Sequence, residues 1–134
     1  MIRIKKIDHV AVCVADLDAA IAQYRDLFSV EPTSRERVDS QKTDAALLPI
    51  GECQLELIAP AGNQSLEKFL VERGPGLHHV ALEVDDIDKS LAFLKALGVR
   101  LIDDVPRIGA RGHRVAFIHP RATGGVLIEL VENS

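Results

Sequence analysis

The sequence predicts an α+β fold built from a duplicated βαβββ unit. Two observations carry this reading. First, shifting the chain by 70 residues lays Asp8-His9-Val10-Ala11 on His78-His79-Val80-Ala81, and six of ten positions from His9 to Asp18 match those from His79 to Asp88. The module ends match at a shift of 73, with Leu55-Glu56-Leu57-Ile58 on Ile128-Glu129-Leu130-Val131. Second, the apolar residues of each half change period in the same order, from alternating to helical and back.

In the first half, residues 5–14 alternate around β-branched residues and read as a strand. Asp16 caps a helix over 17–28, where Leu17, Ala20, Ile21, Tyr24, Leu27 and Phe28 form one apolar stripe. A short strand near 33–38 precedes strands 44–50 and 53–59, which turn at Gly51-Glu52. Residues 60–76 connect the halves, with Ser65 as the expected cap of a short helix that stops at Gly74-Pro75. The second half repeats the pattern. Strand 77–85 leads to a helix over 87–97, capped by Asp86, lined by Leu91, Leu94 and Leu97 and ended by Gly98. Strands near 99–103, 113–119 and 125–132 follow. The organisation is one domain over 1–134: module one about 5–59, connector about 60–76, module two about 77–132.

Composition narrows function. The 134 residues, 47% apolar and 27% charged, suit one globular domain that needs no staple. A net charge of −4, no Trp, one Tyr and four Phe argue against a nucleic-acid partner read by charge or base stacking. No run nears the roughly 18 apolar residues that span a bilayer, and Met1-Ile2-Arg3 opens no signal peptide, so no membrane partner and a cytoplasmic location are expected. Cys13 and Cys53 read as buried, reduced thiols rather than a metal or redox pair.

Four polar residues stand out. Alternation puts His9, Ala11 and Cys13 on one face of the first strand, and His79, Ala81 and Glu83 on the equivalent face of its repeat. Glu56, between Leu55 and Leu57, and Glu129, between Ile128 and Leu130, also point away from the apolar face. A single strand His is ordinarily a hydrogen-bonded structural residue, and a single Glu a solvated one. The same costly pair in both halves instead suggests four side chains meeting near a pseudo-twofold axis around a divalent metal. The mixed N/O set suits Co²⁺, Mn²⁺, Ni²⁺ or Zn²⁺. His78, His113 and His119 read as loop or surface residues, His78 lying on the face opposite His79.

This pattern resembles the vicinal oxygen chelate superfamily. More narrowly, the chain resembles the methylmalonyl-CoA epimerase family along almost its whole length. The carrying segments are Ile7-Asp8-His9-Val10-Ala11, Gly76-Leu77-His78-His79-Val80-Ala81, Glu83-Val84-Asp85-Asp86-Ile87, Pro106–Gly112, Phe117-Ile118-His119-Pro120 and Gly124–Leu130. The resemblance implies a cupped, partly open mixed β-barrel with helices outside. It also implies an isomerase of propionate metabolism that interconverts (R)- and (S)-methylmalonyl-CoA through a metal-stabilised enolate. By matching, His9, Glu56, His79 and Glu129 are the metal ligands and Glu129 is also an acid/base residue. It implies one divalent ion, Co²⁺ foremost, and a homodimer acting on a small acyl-CoA.

The chain departs from the family in two places. Some members have Gln at Glu56, and some carry a second catalytic Glu where this chain has Ala45. Asp44 is adjacent, but alternation turns it to the other face. Glu56, or a metal-bound water, is therefore the expected second proton relay. For the CoA phosphates, Lys42, Arg73, Arg107, Arg111, Arg114 and Arg121 are available, and the stretch from Arg107 to Arg114 is the expected mouth loop. Two alternatives stay open: a glyoxalase-type lactoylglutathione lyase and a metal-free ligand-binding member of the same superfamily. A ring-cleaving dioxygenase fits less well, since it needs redox-active iron in a three-ligand facial set.

Overall fold

The computed structural model describes residues 1–133, in which eight strands and three helices fall into two compact units. One unit is His9–His78; the other joins Met1–Asp8 to the chain from His79 onward. The boundary runs through the first strand, β1 (Ile4–Cys13), so that its two ends serve different units.

In the first unit the strand order is β2-β3-β4-β1, where β2 is Ser34–Val38, β3 Thr43–Ile50 and β4 Cys53–Pro60. β3 and β4 form an antiparallel hairpin through Gly51, whose φ of +58° is the left-handed conformation such a turn needs. β4 then runs parallel to β1, with Ala11 opposite Glu56. A parallel pair requires a long crossover, and the helix α1 (Leu17–Phe28) provides it. The Asp16 carboxylate accepts the Ala19 N–H at 3.0 Å, satisfying one of the helix's unpaired donors. Leu17, Ala20 and Ile21 pack on Ala46, Leu48, Leu57 and Ala59, with Val12 and Tyr24 at the margin. The expected apolar stripe is shorter than its sequence: Leu27 and Phe28 are more than 60% exposed. Phe28 instead meets Tyr24 of the same helix, ring centroids 5.9 Å apart.

The second unit repeats the plan in the order β1-β5-β8-β7-β6. These strands are β5 (Gly76–Val84), β6 (Arg107–Ile108), β7 (Arg114–Ile118) and β8 (Ile128–Glu132). β5 and β8 are parallel, with Ala81 opposite Glu129, and β7 is antiparallel to β8. Helix α3 (Ile87–Ala96) is capped by Asp86, which accepts the Lys89 N–H at 3.0 Å. Its Ile87 and Leu91 pack on Val84, Ala116, Ile118 and Leu130, with Leu94 at the margin. Gly98, at φ +76°, ends it as expected, while Leu97 is exposed rather than lining the core.

Other expectations need correcting. Residues 99–103 do not form a strand; only Leu101 makes an isolated bridge, to Ile118. The N–H groups of Ile102 and Asp103 both donate to the Phe117 carbonyl, which kinks the chain and delays the edge strand to Arg107. β8 begins at Ile128, not 125, because Gly124 and Gly125 are left-handed and close a single turn over 120–123. The connector helix α2 (Gln64–Arg73) is capped by Asn63 and not Ser65. Asn63 Oδ1 accepts the Leu66 N–H at 3.0 Å while its Nδ2 donates to the Gln41 carbonyl at 2.7 Å. That second bond joins the cap to a residue distant in sequence. Cys13 is buried as expected, but Cys53 is only half-buried, at the start of β4.

Candidate metal centre

Each unit presents one imidazole–carboxylate pair on the sheet face opposite its helix. In the first, His9 Nε2 lies 3.4 Å from Glu56 Oε1, both side chains below 9% exposure. In the second, His79 Nε2 lies 3.1 Å from Glu129 Oε1, both at 5%. The register explains the equivalence. Ala11 faces Glu56 and Ala81 faces Glu129 across parallel ladders, and in each case the His stands two residues before the Ala. A parallel ladder slants its hydrogen bonds, so a His and a carboxylate offset by two residues can still meet above a small side chain. The alanines, both fully buried, leave that room.

These separations test the donor chemistry. Two ligands each about 2.1 Å from one ion, at near-tetrahedral to right angles, lie about 3.0–3.4 Å apart. Both pairs match that span. Buried carboxylates beside imidazoles also give the mixed N/O set suited to a borderline divalent cation. The residues of each half therefore fit two ligands of such an ion.

The surroundings add Phe117 and Asp8, to which sequence reasoning gave no site role. Phe117, opposite Glu129 in the β7–β8 ladder, sets its ring edge-on to His79 at 5.1 Å and 86°. Alternation along β7 could have placed it there, since Phe117 corresponds to Leu47 at the 70-residue shift, and Leu47 stands opposite Glu56. Asp8 is buried at the border of the two units; it accepts from Asn133 Nδ2 at 2.9 Å and has Arg111 at 3.7 Å. Glu83, on the His79 face, meets Lys5 at 3.6 Å. Ala45 is buried on the Glu56 face. Asp44 faces the other way and pairs with Arg37, whose guanidinium holds its carboxyl below the ordinary range.

The remaining histidines lie elsewhere. His78, though in β5 rather than a loop, packs edge-on against Phe69 at 5.1 Å. His119 caps the single turn after β7, accepting the Arg121 N–H on Nδ1 at 3.1 Å; burial, with Arg100 and Arg121 nearby, lowers its pKa. His113 follows the turn over 110–112. Of the expected mouth-loop cations, Arg114 points to the helix side and is bound by Asp88 and Glu132, at 2.9 and 3.4 Å. Arg107 lies on the His79 face.

Residues 8–117 match the model of the Glyoxalase/Bleomycin resistance protein/Dioxygenase superfamily. The chain is 36% identical to the mitochondrial methylmalonyl-CoA epimerase of Dictyostelium discoideum, over 98% of this chain and 80% of that protein. The crystal structure of methylmalonyl-CoA epimerase from Mycobacterium tuberculosis superposes with a TM-score of 0.93 at 40% identity, covering 98% of this chain and 89% of that one. A methylmalonyl-CoA epimerase in complex with methylmalonyl-CoA and NH4+ gives 0.94 at 34% identity, covering 98% and 96%. The chain belongs to the methylmalonyl-CoA epimerase family of that superfamily. No helix among the described residues is long and apolar enough to cross a membrane.

Proposed function

We propose that this chain is a metal-dependent epimerase that interconverts (R)- and (S)-methylmalonyl-CoA. The observation that carries the reading is the pair of buried His–Glu couples at equivalent register positions, in a chain so similar to methylmalonyl-CoA epimerases. In this reading residues 1–134 act as one domain, and His9, Glu56, His79 and Glu129 together hold one divalent ion. Co²⁺ is the proposed ion, with Mn²⁺, Ni²⁺ and Zn²⁺ suited to the same donors. When bound, the ion supplies Lewis-acid stabilisation of the negative charge that develops as the carbon acid ionises.

The chain's own residues do the rest. As ligands, the imidazoles of His9 and His79 would each give a ring-nitrogen lone pair, and the negative charge of the set would come from the two carboxylates. Glu129 takes the α-proton from one epimer while the electron pair of the carbon–hydrogen bond delocalises toward the thioester and carboxylate. Glu56 returns a proton to the opposite face of that carbon, and the roles reverse in the other direction. Burial of both carboxylates keeps bulk water from quenching the planar intermediate non-selectively. A homodimer, which rests on the family resemblance, and a cytoplasmic location are part of the same reading.

The test is deuterium incorporation at the α-carbon of methylmalonyl-CoA in D₂O by metal-loaded protein. Exchange with loss of configuration is expected. Its absence would overturn the reading, and turnover of a glutathione thiohemiacetal instead would assign the lyase chemistry.

A further inference from the structure

The second unit holds a cation on the same sheet face as its His–Glu pair. Val115 stands opposite Val131, Phe117 opposite Glu129, and Arg107 opposite Val115. Residues directly opposite share a face, so Arg107, Phe117, Glu129 and His79 all lie on one side of this sheet. The Arg107 guanidinium carbon lies 6.0 Å from the centre of the Phe117 ring, the same ring that meets His79 edge-on. Phe117 thus spans the distance between the cation and the imidazole.

Asp103 fixes this arrangement from behind. Its side chain, 12% exposed, forms an ion pair with Arg107 (Nε to Oδ1 3.2 Å), accepts from Arg107 Nη2 at 3.4 Å and accepts the Phe117 N–H at 2.8 Å. Arg107 itself stays 38% exposed. A guanidinium carries five N–H donors in a planar fork, so pairing with one carboxylate along one edge leaves it able to meet a second.

The repeat breaks at this position in an informative way. In the first unit the residue opposite Ala45, as Arg107 is opposite Val115, is Glu36. Equivalent edge positions of the two halves thus carry opposite charges. A malonyl thioester carries a free carboxylate on one arm of its acidic carbon, and such a carboxylate is favoured beside Arg107.

We infer that Arg107 binds the free carboxylate of the acyl group and so selects malonyl-type thioesters over thioesters without that carboxylate. This rests on the acyl-CoA substrate proposed above and adds a specificity-determining residue to it. Asp103 acts through Arg107 and is a positioning residue.

The test compares three ligands by calorimetry on the metal-loaded protein: malonyl-CoA, propionyl-CoA and CoA. For Arg107→Met, malonyl-CoA binding weakens about 10- to 100-fold, the range of a lost charge-assisted pair, and the other two stay within twofold. Arg107→Lys keeps a charge beside Asp103 but loses the planar fork, and gives an intermediate loss confined to malonyl-CoA. Equal weakening of all three ligands would mean that Arg107 reads the CoA phosphates, and would overturn the inference, as would no change in either variant. Because binding is read without turnover, wild-type protein that shows the malonyl preference but no α-proton exchange would sink the epimerase reading alone.

Discussion

His79 and Glu129, fifty residues apart in the chain, bring Nε2 and Oε1 within 3.1 Å inside a sheet where both side chains are 5% exposed. An uncompensated carboxylate so placed costs several kcal/mol, so the pair is retained only if something holds it. An imidazole–carboxylate hydrogen bond can do this by itself, and a shared cation does it better. The two cases differ in what removal of metal does.

Metal removal should therefore abolish α-proton exchange, and Co²⁺ should restore it, with Mn²⁺, Ni²⁺ and Zn²⁺ restoring it to differing extents. A ligand that binds only the folded state at 100 times its Kd adds about 2.7 kcal/mol. Scanning calorimetry with and without the ion should register a clear rise in Tm. An unchanged Tm and full exchange in chelator would rule the centre out.

Glu56→Gln separates ligand from relay. The amide can still donate an oxygen to an ion but cannot carry a proton at neutral pH. Turnover is expected to fall about 10²- to 10⁴-fold while metal content by mass spectrometry stays near one per chain. Wild-type turnover with full metal content would strip Glu56 of its proposed acid/base role.

The two helix-side cores should respond alike to truncation. Leu57 and Leu130 are almost wholly buried beneath α1 and α3 respectively. Leu57→Ala and Leu130→Ala are each expected to cost about 2–5 kcal/mol in urea unfolding. A loss below 1 kcal/mol at either site would contradict the packing described for that unit.

The helix cap is a sharper test of the connector. Asn63→Ala should lose about 1 kcal/mol or more, since it removes the Leu66 cap together with the bond to Gln41. Ser65→Ala, inside the first turn, should change stability by less than 0.5 kcal/mol. Equal losses would place the helix start wrongly.

Thiol chemistry follows burial. Burial pushes the Cys13 thiol up to about 11, whereas an unfolded cysteine ionises near 8.5. The stability that comes with the retained proton is fully present below the unfolded value and is lost as pH rises through about 11. Cys13→Ala should flatten that alkaline limb. In the native protein a thiol reagent at pH 8 should label the half-buried Cys53 first, and Cys13 only after unfolding.

The legible parts of this protein were those set by local periodicity and by repetition. Alternation along residues 5–14 and 77–85 assigned His9 and His79 to one face, and Asp16 and Asp86 marked the starts of α1 and α3. The duplicated Leu-Glu-Leu and Ile-Glu-Leu segments flagged the carboxylates, because repeating an expensive residue is informative where a single one is not. The parts that went astray depend on partners distant in the chain. Asn63 caps α2 with help from Gln41, Leu27 and Phe28 end the α1 stripe exposed, and residues 99–103 kink because two N–H groups share the Phe117 carbonyl.

Side-chain period and capping chemistry act over three or four residues, so the amino-acid order alone determined the strand faces, the starts of α1 and α3 and the four His and Glu residues repeated in the two halves. Cross-strand register is a long-range choice among nearly equal local alternatives. Only the tertiary structure could therefore decide that Ala11 meets Glu56 and Ala81 meets Glu129, and that one ring, Phe117, meets both His79 and Arg107.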